Sequence, residues 1–332
     1  MSYLIKGNNA NELYIQARNL IDSEGAKSNN TDELMHVMLE LNDPRQKWVS
    51  QRRPVPSISF ALAEVIWIAS GDNKRDVVDF WNPKYSTYTA DEGKDFYHGA
   101  YGYRLKKNFK FDQLTRAYNA LKSKPQNRQT VLLYWDPTID FPHEDGSPRS
   151  HDIPCNICSL LKIRDNKLEW MQIMRSNDIF RGLPYNLIQF TSLQEILAGW
   201  LDVEVGRYTH FSDSLHIYDS DKNTGYFNGG NEVKNPDSLS IPKLESDKII
   251  PEIYSRLKNM MKAGITEEEL YHLSCLNSSS KAYNNLLAII GAYVANKLKY
   301  IELVKRIVDN CDNKLYIHMW NNFLESRTYN QN

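Results

Sequence analysis

The order of apolar patterns along the chain predicts an α+β fold with a largely antiparallel or mixed sheet. Strand patterns recur at 34–41, 130–135, 155–163, 168–174 and 206–218, with the apolar–polar alternation of a half-buried strand clearest in the first. Two stretches of helical length, 54–70 and 186–201, are apolar nearly all round and read as buried helices. Strands and helices do not alternate one for one, which argues against a βαβ repeat.

Leu13, Ile15, Ala17, Leu20 and Ile21, spaced among polar residues, predict an amphipathic helix over 9–22. Residues 23–32, rich in Gly, Ser and Asn, read as a loop before the strand at 34–41. Ile58, Phe60, Leu62, Val65, Ile66, Trp67 and Ile68 make the first buried helix, and Gly71-Asp72 ends it. Residues 79–104 are aromatic and turn-rich, and 111–123 form another helix candidate. A loop signal over Tyr226-Phe227-Asn228-Gly229-Gly230-Asn231 divides an expected catalytic domain, 1–245, from a helical C-terminal region, 246–332. Beyond Pro251 the chain looks helical. Thr266-Glu267-Glu268-Glu269 is a capping box, and apolar residues recur at three- and four-residue spacing over 286–308.

With 332 residues, 41% hydrophobic and 24% charged, the chain can bury a sizeable core and is not of disordered composition. A net charge of −1 argues against a nucleic-acid partner. No apolar run reaches the ~20 residues of a membrane helix. The opening Met1-Ser2-Tyr3-Leu4-Ile5-Lys6 is not a signal peptide. With only Cys155, Cys158, Cys275 and Cys311, this points to reduced thiols and a cytoplasmic location.

The chemistry concentrates in Pro154-Cys155 and, about twenty residues on, Arg175-Ser176-Asn177-Asp178-Ile179-Phe180-Arg181-Gly182-Leu183-Pro184-Tyr185-Asn186. A thiol is a nucleophile as thiolate, and a nearby guanidinium favours that form. Arginine presents a planar fork that fits phosphate. An asparagine amide both donates and accepts, as reading a pyrimidine edge requires. Cys155 and Cys158 form a CxxC, but three residues apart on a strand they face opposite ways. No second cysteine pair or histidine cluster completes a metal site, so none is expected.

The segment from Pro154 to Asp219 resembles the thymidylate synthases and their relatives, the pyrimidine hydroxymethylases. It does so through Pro154-Cys155, Arg175-Ser176-x-Asp178, Gly182-Leu183-Pro184-Tyr185-Asn186 and His216-Ile217-Tyr218. Upstream, Phe60 to Trp67 followed by Gly71-Asp72 is similar to the family's catalytic-glutamate helix, and Gly99-Ala100-Tyr101-Gly102 to its active-site tyrosine turn. The resemblance covers roughly 34–245. It implies a three-layer α/β architecture and a homodimer whose twisted sheets pack back to back.

It also implies roles. Cys155 adds to C6 of the base, and the activated C5 takes a one-carbon unit from 5,10-methylenetetrahydrofolate. Arg175 and Ser176 hold the phosphate, Asn186 reads the uracil edge, and His216 and Tyr218 hold the sugar hydroxyl. Glu64 moves protons at O4, and Tyr101 assists at the C5 proton. Asp178, with Gly182 beside it, holds the pterin, and Trp81 stacks near it. Arg128 reaches into the partner's site.

Departures from the family pattern are expected to matter. Asn156 replaces the histidine that follows the nucleophile, so that position cannot titrate. Arg128-Gln129 keeps one of two partner-borrowed arginines. Lys27 is the best match for the phosphate-loop arginine. The last residues, Ser326 to Asn332, are polar where the family has an apolar closing tail. The expected reaction is thus dUMP to dTMP most simply. A 5-hydroxymethyl product and a non-catalytic partner-binding role stand as alternatives. Ordinary readings also stay open: a cap for Asp178, a core histidine at 216 and a core thiol at Cys158.

Overall fold

The computed structural model describes residues 2–89, 93–227 and 233–329. Of the loop signal over 226–231, residues 228–231 lie outside the described residues, as do 330–332. The chain opens with β1 (Tyr3–Gly7), α1 (Ala10–Glu24), β2 (Ala26–Ser28) and β3 (Thr31–Leu41). Asn9 caps α1 by accepting from the Glu12 N–H at 2.9 Å. The stretch read as loop over 23–32 therefore holds a short strand, which turns back on β3 with Ala26 opposite Glu33. Strand β1 lies parallel to β3, and its own five residues carry no strand signal strong enough to be read alone.

Next come β4 (Arg52–Arg53), α2 (Ile58–Ser70), α3 (Arg75–Trp81), α4 (Tyr85–Thr89) and α5 (Tyr101–Tyr103), the last running into a π turn over Arg104–Asn108. Ser57 caps α2 at its start, and Gly71 ends it with φ 71°, a left-handed value that explains the glycine stop. The aromatic stretch over 79–104 is thus largely short helices. Beyond it lie α6 (Gln113–Ser123), β5 (Val131–Leu133), α7 (Pro137–Asp140), β6 (Asn156–Arg164), β7 (Lys167–Met174), β8 (Asn177–Asp178), α8 (Leu183–Leu201), β9 (Glu204–Tyr218) and β10 (Gly225–Tyr226). Pro184 sits in the first turn of α8, where its missing N–H costs no helical bond.

The main sheet runs β1-β3-β9-β7-β6-β5 and is mixed. The β1–β3 and β9–β7 pairs are parallel, and β3–β9, β7–β6 and β6–β5 antiparallel. Strand β8 continues the line of β7 along β9, with Asp178 opposite His216.

The chain then becomes helical: α9 (Lys243–Met260), α10 (Glu267–Ser274), α11 (Lys281–Lys297), α12 (Ile301–Val308) and α13 (Lys314–Tyr329). Helix α9 starts eight residues before Pro251 and carries it internally. The capping box at Thr266 and Glu269 is formed. The apolar stretch over 286–308 is broken into α11 and α12 at Lys299, which has φ 65°.

Three layers result. The sheet is one, α2 and α8 packed together are the second, and α9, α11 and α13 against α2 are the third. Twelve of the thirteen residues of α2 are buried, and each large apolar side chain there contributes about 2 kcal/mol by leaving water. One hydrophobic core spans residues from Ile5 to Phe323. A buried polar clasp ties the approach to α9 onto the last helices. Asn285 Nδ2 and Asn313 Nδ2 both donate to Asp237 Oδ2, at 3.0 and 2.8 Å.

Gly102 lets α5 lie directly on α2. A Cβ there would fall 2.4 Å from Ile68 O and 2.7 Å from Ile68 Cα, both backbone atoms. Gly102→Ala is therefore expected to destabilise the protein by about 2–3 kcal/mol, read as a lower urea midpoint. An unchanged midpoint would show that α5 moves freely on α2.

Candidate active site

Cys155 immediately precedes β6, where the pairing with β7 shifts register between Asn156 and Cys158. Such a bulge re-aims the side chains beside it. Asn156 points inward and is fully buried, whereas Cys158 is only half-buried and pairs at the register of Ile173. The reading of Cys158 as core thus gives way to a residue on the outer sheet face. All four cysteines are free thiols.

Arg175 holds the Cys155 loop from across the β6–β7 end. Its Nε donates to Pro154 O and its Nη2 to Ile153 O, each at 3.0 Å, and its backbone N–H donates to Cys155 O at 2.9 Å. Three of its five side-chain donors remain for a ligand. Burial pushes the Cys155 thiol above its usual pKa, and the Arg175 charge draws it back.

Tyr101 lies between the rings of Tyr134 and Phe190, each 5.8 Å away. Burial raises its hydroxyl well above the ordinary range, with Cys155 and Glu64 adding to the rise and the Asn156 amide opposing it. Asn156 Oδ1 accepts from Gln172 Nε2 at 2.8 Å, which leaves its Nδ2 buried on the Tyr101 side without a well-formed hydrogen bond. Glu64, from the middle of α2, is buried against Gln189 of α8, and burial pushes its carboxyl up to about 7. Glu64 Oε2 and Gln189 Oε1 are likewise buried and unpartnered. Unpaired buried polar atoms are rare in folded proteins, and a ligand that completes them is one explanation.

On the far side, Asp178 Oδ1 accepts the backbone N–H groups of Phe180 and Arg181 at 2.7 and 2.8 Å. It is a turn cap, and its second oxygen, Oδ2, is buried outside hydrogen-bond reach of a donor, with Arg181 Nε 3.7 Å away. Burial raises its pKa, while His216 and Arg181 oppose the rise. His216 and Tyr218 stand edge to face at 5.4 Å on one face of β9, and burial keeps His216 below the usual histidine range. Asn186, in the first turn of α8, is 6% exposed. A Cβ on Gly182 would stand 3.2 Å from Asn177 Oδ1 and 3.4 Å from Asn186 Nδ2, so glycine leaves that pair its room.

Some expected residues stand apart. Trp81 is 2% exposed, with Phe80 at 4.6 Å and Tyr293 at 6.4 Å against its ring, though it borders the same narrow crevice as Glu64. Arg128 is exposed in the turn before β5 and contacts none of these groups among the described residues. Ser176 is half-buried beside Arg175. Lys27 is spent on Asp32 and Asp219, at 3.2 and 2.6 Å. A cavity of about 290 Å³ lies elsewhere, between α6, α8 and α9, and no site residue lines it. Asn177, passed over as the variable position of its motif, joins Asn186 directly: Asn186 Nδ2 donates to Asn177 Oδ1 at 3.1 Å.

The raised Glu64 pKa has a stability signature. Its carboxyl stays protonated in the folded chain up to about 7, against 4.5 ordinarily. Between those values the unfolded chain holds fewer protons, so stability falls as pH rises through that window. Glu64→Gln is expected to stabilise the protein at pH 8 by roughly 3 kcal/mol, with the gain vanishing near pH 4. Its turnover should drop at least about 100-fold. Melting both proteins across pH tests this, and a pH-independent difference would contradict the burial.

A family model described as "Thymidylate synthase" matches residues 29–250. A deoxyuridylate hydroxymethyltransferase of Bacillus phage SP01 is 30% identical over 231 residues, covering 65% of this chain and 59% of that protein. One of Pseudomonas phage M6 is 33% identical over 162 residues, covering 48% and 44%. The thymidylate synthase of Clostridium beijerinckii is 27% identical over 215 residues, covering 63% and 77%. The chain thus matches only about half of the length of the two phage proteins. The matched span takes in Glu64, Tyr101, Cys155, Arg175, Asn186 and His216, and the chain belongs to the thymidylate synthase family.

Proposed function

We propose that the chain transfers a one-carbon unit from 5,10-methylenetetrahydrofolate to C5 of a uracil nucleotide, dUMP in the simplest case. The reaction would pass through a bond between Cys155 Sγ and C6 of the ring. One observation carries this reading. Cys155, Asn156, Tyr101 and Glu64 come from three separate stretches to one buried place, where Asn156 Nδ2 and Glu64 Oε2 lack well-formed hydrogen bonds.

C5 of uracil is a poor nucleophile. Addition of the Cys155 thiolate at C6 turns the ring into an enolate, and C5 can then attack a one-carbon electrophile. Arg175 favours the thiolate and offers its remaining donors to the phosphate. Asn186 gives an N–H to O4 and accepts from N3–H. Glu64, poised near neutrality, passes a proton to and from the O4 side. Tyr101 assists loss of the C5 proton. His216 and Tyr218 face the sugar hydroxyl. The folate, when bound, supplies the electrophilic carbon and, for a methyl product, the hydride. Asp178 Oδ2, buried with Arg181 Nε 3.7 Å away, suits a pterin N–H, and Gly182 lies in the same turn.

A second reading, hydroxymethyl in place of methyl, is favoured by the two phage relatives and by Asn156 at the position after the nucleophile. The chemistry to the C5 adduct is the same, and water instead of hydride then completes it. We also read the protein as a cytoplasmic homodimer joined through the outer sheet face. Met35, Val131 and Leu133 are each more than two-fifths exposed there. Arg128, exposed just before β5, would be the residue that reaches into the partner's site.

Incubation with dUMP and methylenetetrahydrofolate, read by mass spectrometry, should give a methylated or hydroxymethylated nucleotide. Cys155→Ser should lose turnover by at least about 1,000-fold yet keep nucleotide affinity within a few-fold. Turnover at the parent rate would rule out the covalent route. Sedimentation should show a dimer that Leu133→Asp weakens, and a parent monomer would contradict the assembly.

A further inference from the structure

Asn177, missed in the sequence, is the centre of a buried hydrogen-bonded chain. Its Nδ2 donates to His210 Nε2 at 2.9 Å and to Ser212 Oγ at 3.1 Å. Its Oδ1 accepts from Asn186 Nδ2 at 3.1 Å. His210 Nδ1 lies 2.9 Å from the Tyr208 hydroxyl. Asn177, His210, Ser212 and Tyr208 are at most 2% exposed. Tyr208, His210 and Ser212 alternate inward along β9, so their spacing was the available signal.

We infer that His210 and Asn177 are positioning residues that lock the Asn186 amide in the orientation that accepts uracil and refuses cytosine. The inference rests on the role proposed for Asn186 and extends it. Each link sets the next. His210 Nε2 accepts, so Nδ1 carries the proton and donates to Tyr208. Asn177 spends both Nδ2 hydrogens on His210 and Ser212, so its Oδ1 must face Asn186. Asn186 therefore turns Nδ2 toward Asn177 and keeps one N–H and its Oδ1 for the base.

That pair matches O4 and N3–H of uracil. Cytosine presents an amino donor and a bare N3, and would be matched only if the Asn186 amide turned over. Turning it would set Asn186 Oδ1 against Asn177 Oδ1. Turning Asn177 as well would set its Oδ1 against the His210 Nε2 lone pair unless the ring proton also moved from Nδ1 to Nε2, with the Tyr208 hydroxyl turning to donate to Nδ1. Accepting cytosine therefore requires the whole chain to reverse together, because any partial reversal strands a buried polar group, which is costly. Burial also holds His210 neutral, its pKa pushed down to about 3, so one ring nitrogen remains an acceptor across the working pH range.

The test is the ratio of dUMP to dCMP affinity, measured by equilibrium dialysis on the full chain. His210→Leu removes the acceptor and should lower the ratio about tenfold, chiefly by tighter dCMP binding. His210→Gln restores an acceptor and should hold the ratio within about twofold of the parent, a rescue that mere packing would not produce. Tyr208→Phe, which loses only a hydroxyl, should lower the ratio about threefold and serves if the leucine variant does not fold. An unchanged ratio in His210→Leu, or in Tyr208→Phe should the former not fold, overturns the inference. Asn186→Asp separates this from failure of the base-reading role. If it shifts preference toward dCMP while the His210 and Tyr208 variants do not, base reading stands and the lock falls. If it shifts nothing, the reading of Asn186 fails, and the lock with it.

Discussion

Glu64 is a carboxylate set in a helix that is apolar on every other side, and that placement constrains the rest of the molecule. A carboxyl in the middle of α2 can be dry only if α2 is covered all round. The α8 helix supplies one wall, and α9, α11 and α13 supply the other. Ser59 of α2 donates to Ile289 O of α11 at 3.3 Å, and Tyr254 of α9 donates to Asp72 just beyond the end of α2. The C-terminal helices are therefore part of the arrangement that desolvates the site. Burying an unpaired carboxylate disfavours its charge, and the group responds by holding its proton to about 7.

The same desolvation acts on every titratable group around it. Burial raises the Cys155 thiol, the Tyr101 hydroxyl and the Asp178 carboxyl alike. At the thiol Arg175 is the counterweight, and it serves structure and electrostatics at once, because two of its donors brace the loop that carries the thiol. A site of this kind needs a rigid shell. The buried Lys47–Glu195 pair provides part of it, with Glu195 Oε2 also accepting the Leu239 N–H at 2.8 Å. The Asp237 clasp continues that chain of contacts from α8 to α11 and α13.

Much of this was legible in the sequence, for identifiable reasons. Side-chain chemistry at fixed spacing marked Cys155, Arg175, Asp178 and Asn186, because their local framework is one strand, one turn and one helix. All-round apolarity marked α2 and α8. What escaped depended on partners far along the chain. Strand β1 is short and is a strand by virtue of pairing with β3. The β2 hairpin was hidden by turn-forming residues. The break at Lys299 is a single left-handed residue inside an unbroken apolar period. The outward turn of Cys158 follows from a bulge, and a bulge is a property of two strands. Asn177 escaped because its partners, His210 and Ser212, lie more than thirty residues away and are brought to it by the parallel run of β8 and β7 along β9.

The central claim is chemistry at C5 of a uracil nucleotide, whichever group is finally attached. Both products require the C5 hydrogen to leave. The most direct measurement is release of tritium to water from dUMP labelled at C5, followed alongside nucleotide consumption in the presence of methylenetetrahydrofolate. Release matching consumption one for one is the expected result. Consumption of the nucleotide with the C5 label retained would contradict the account.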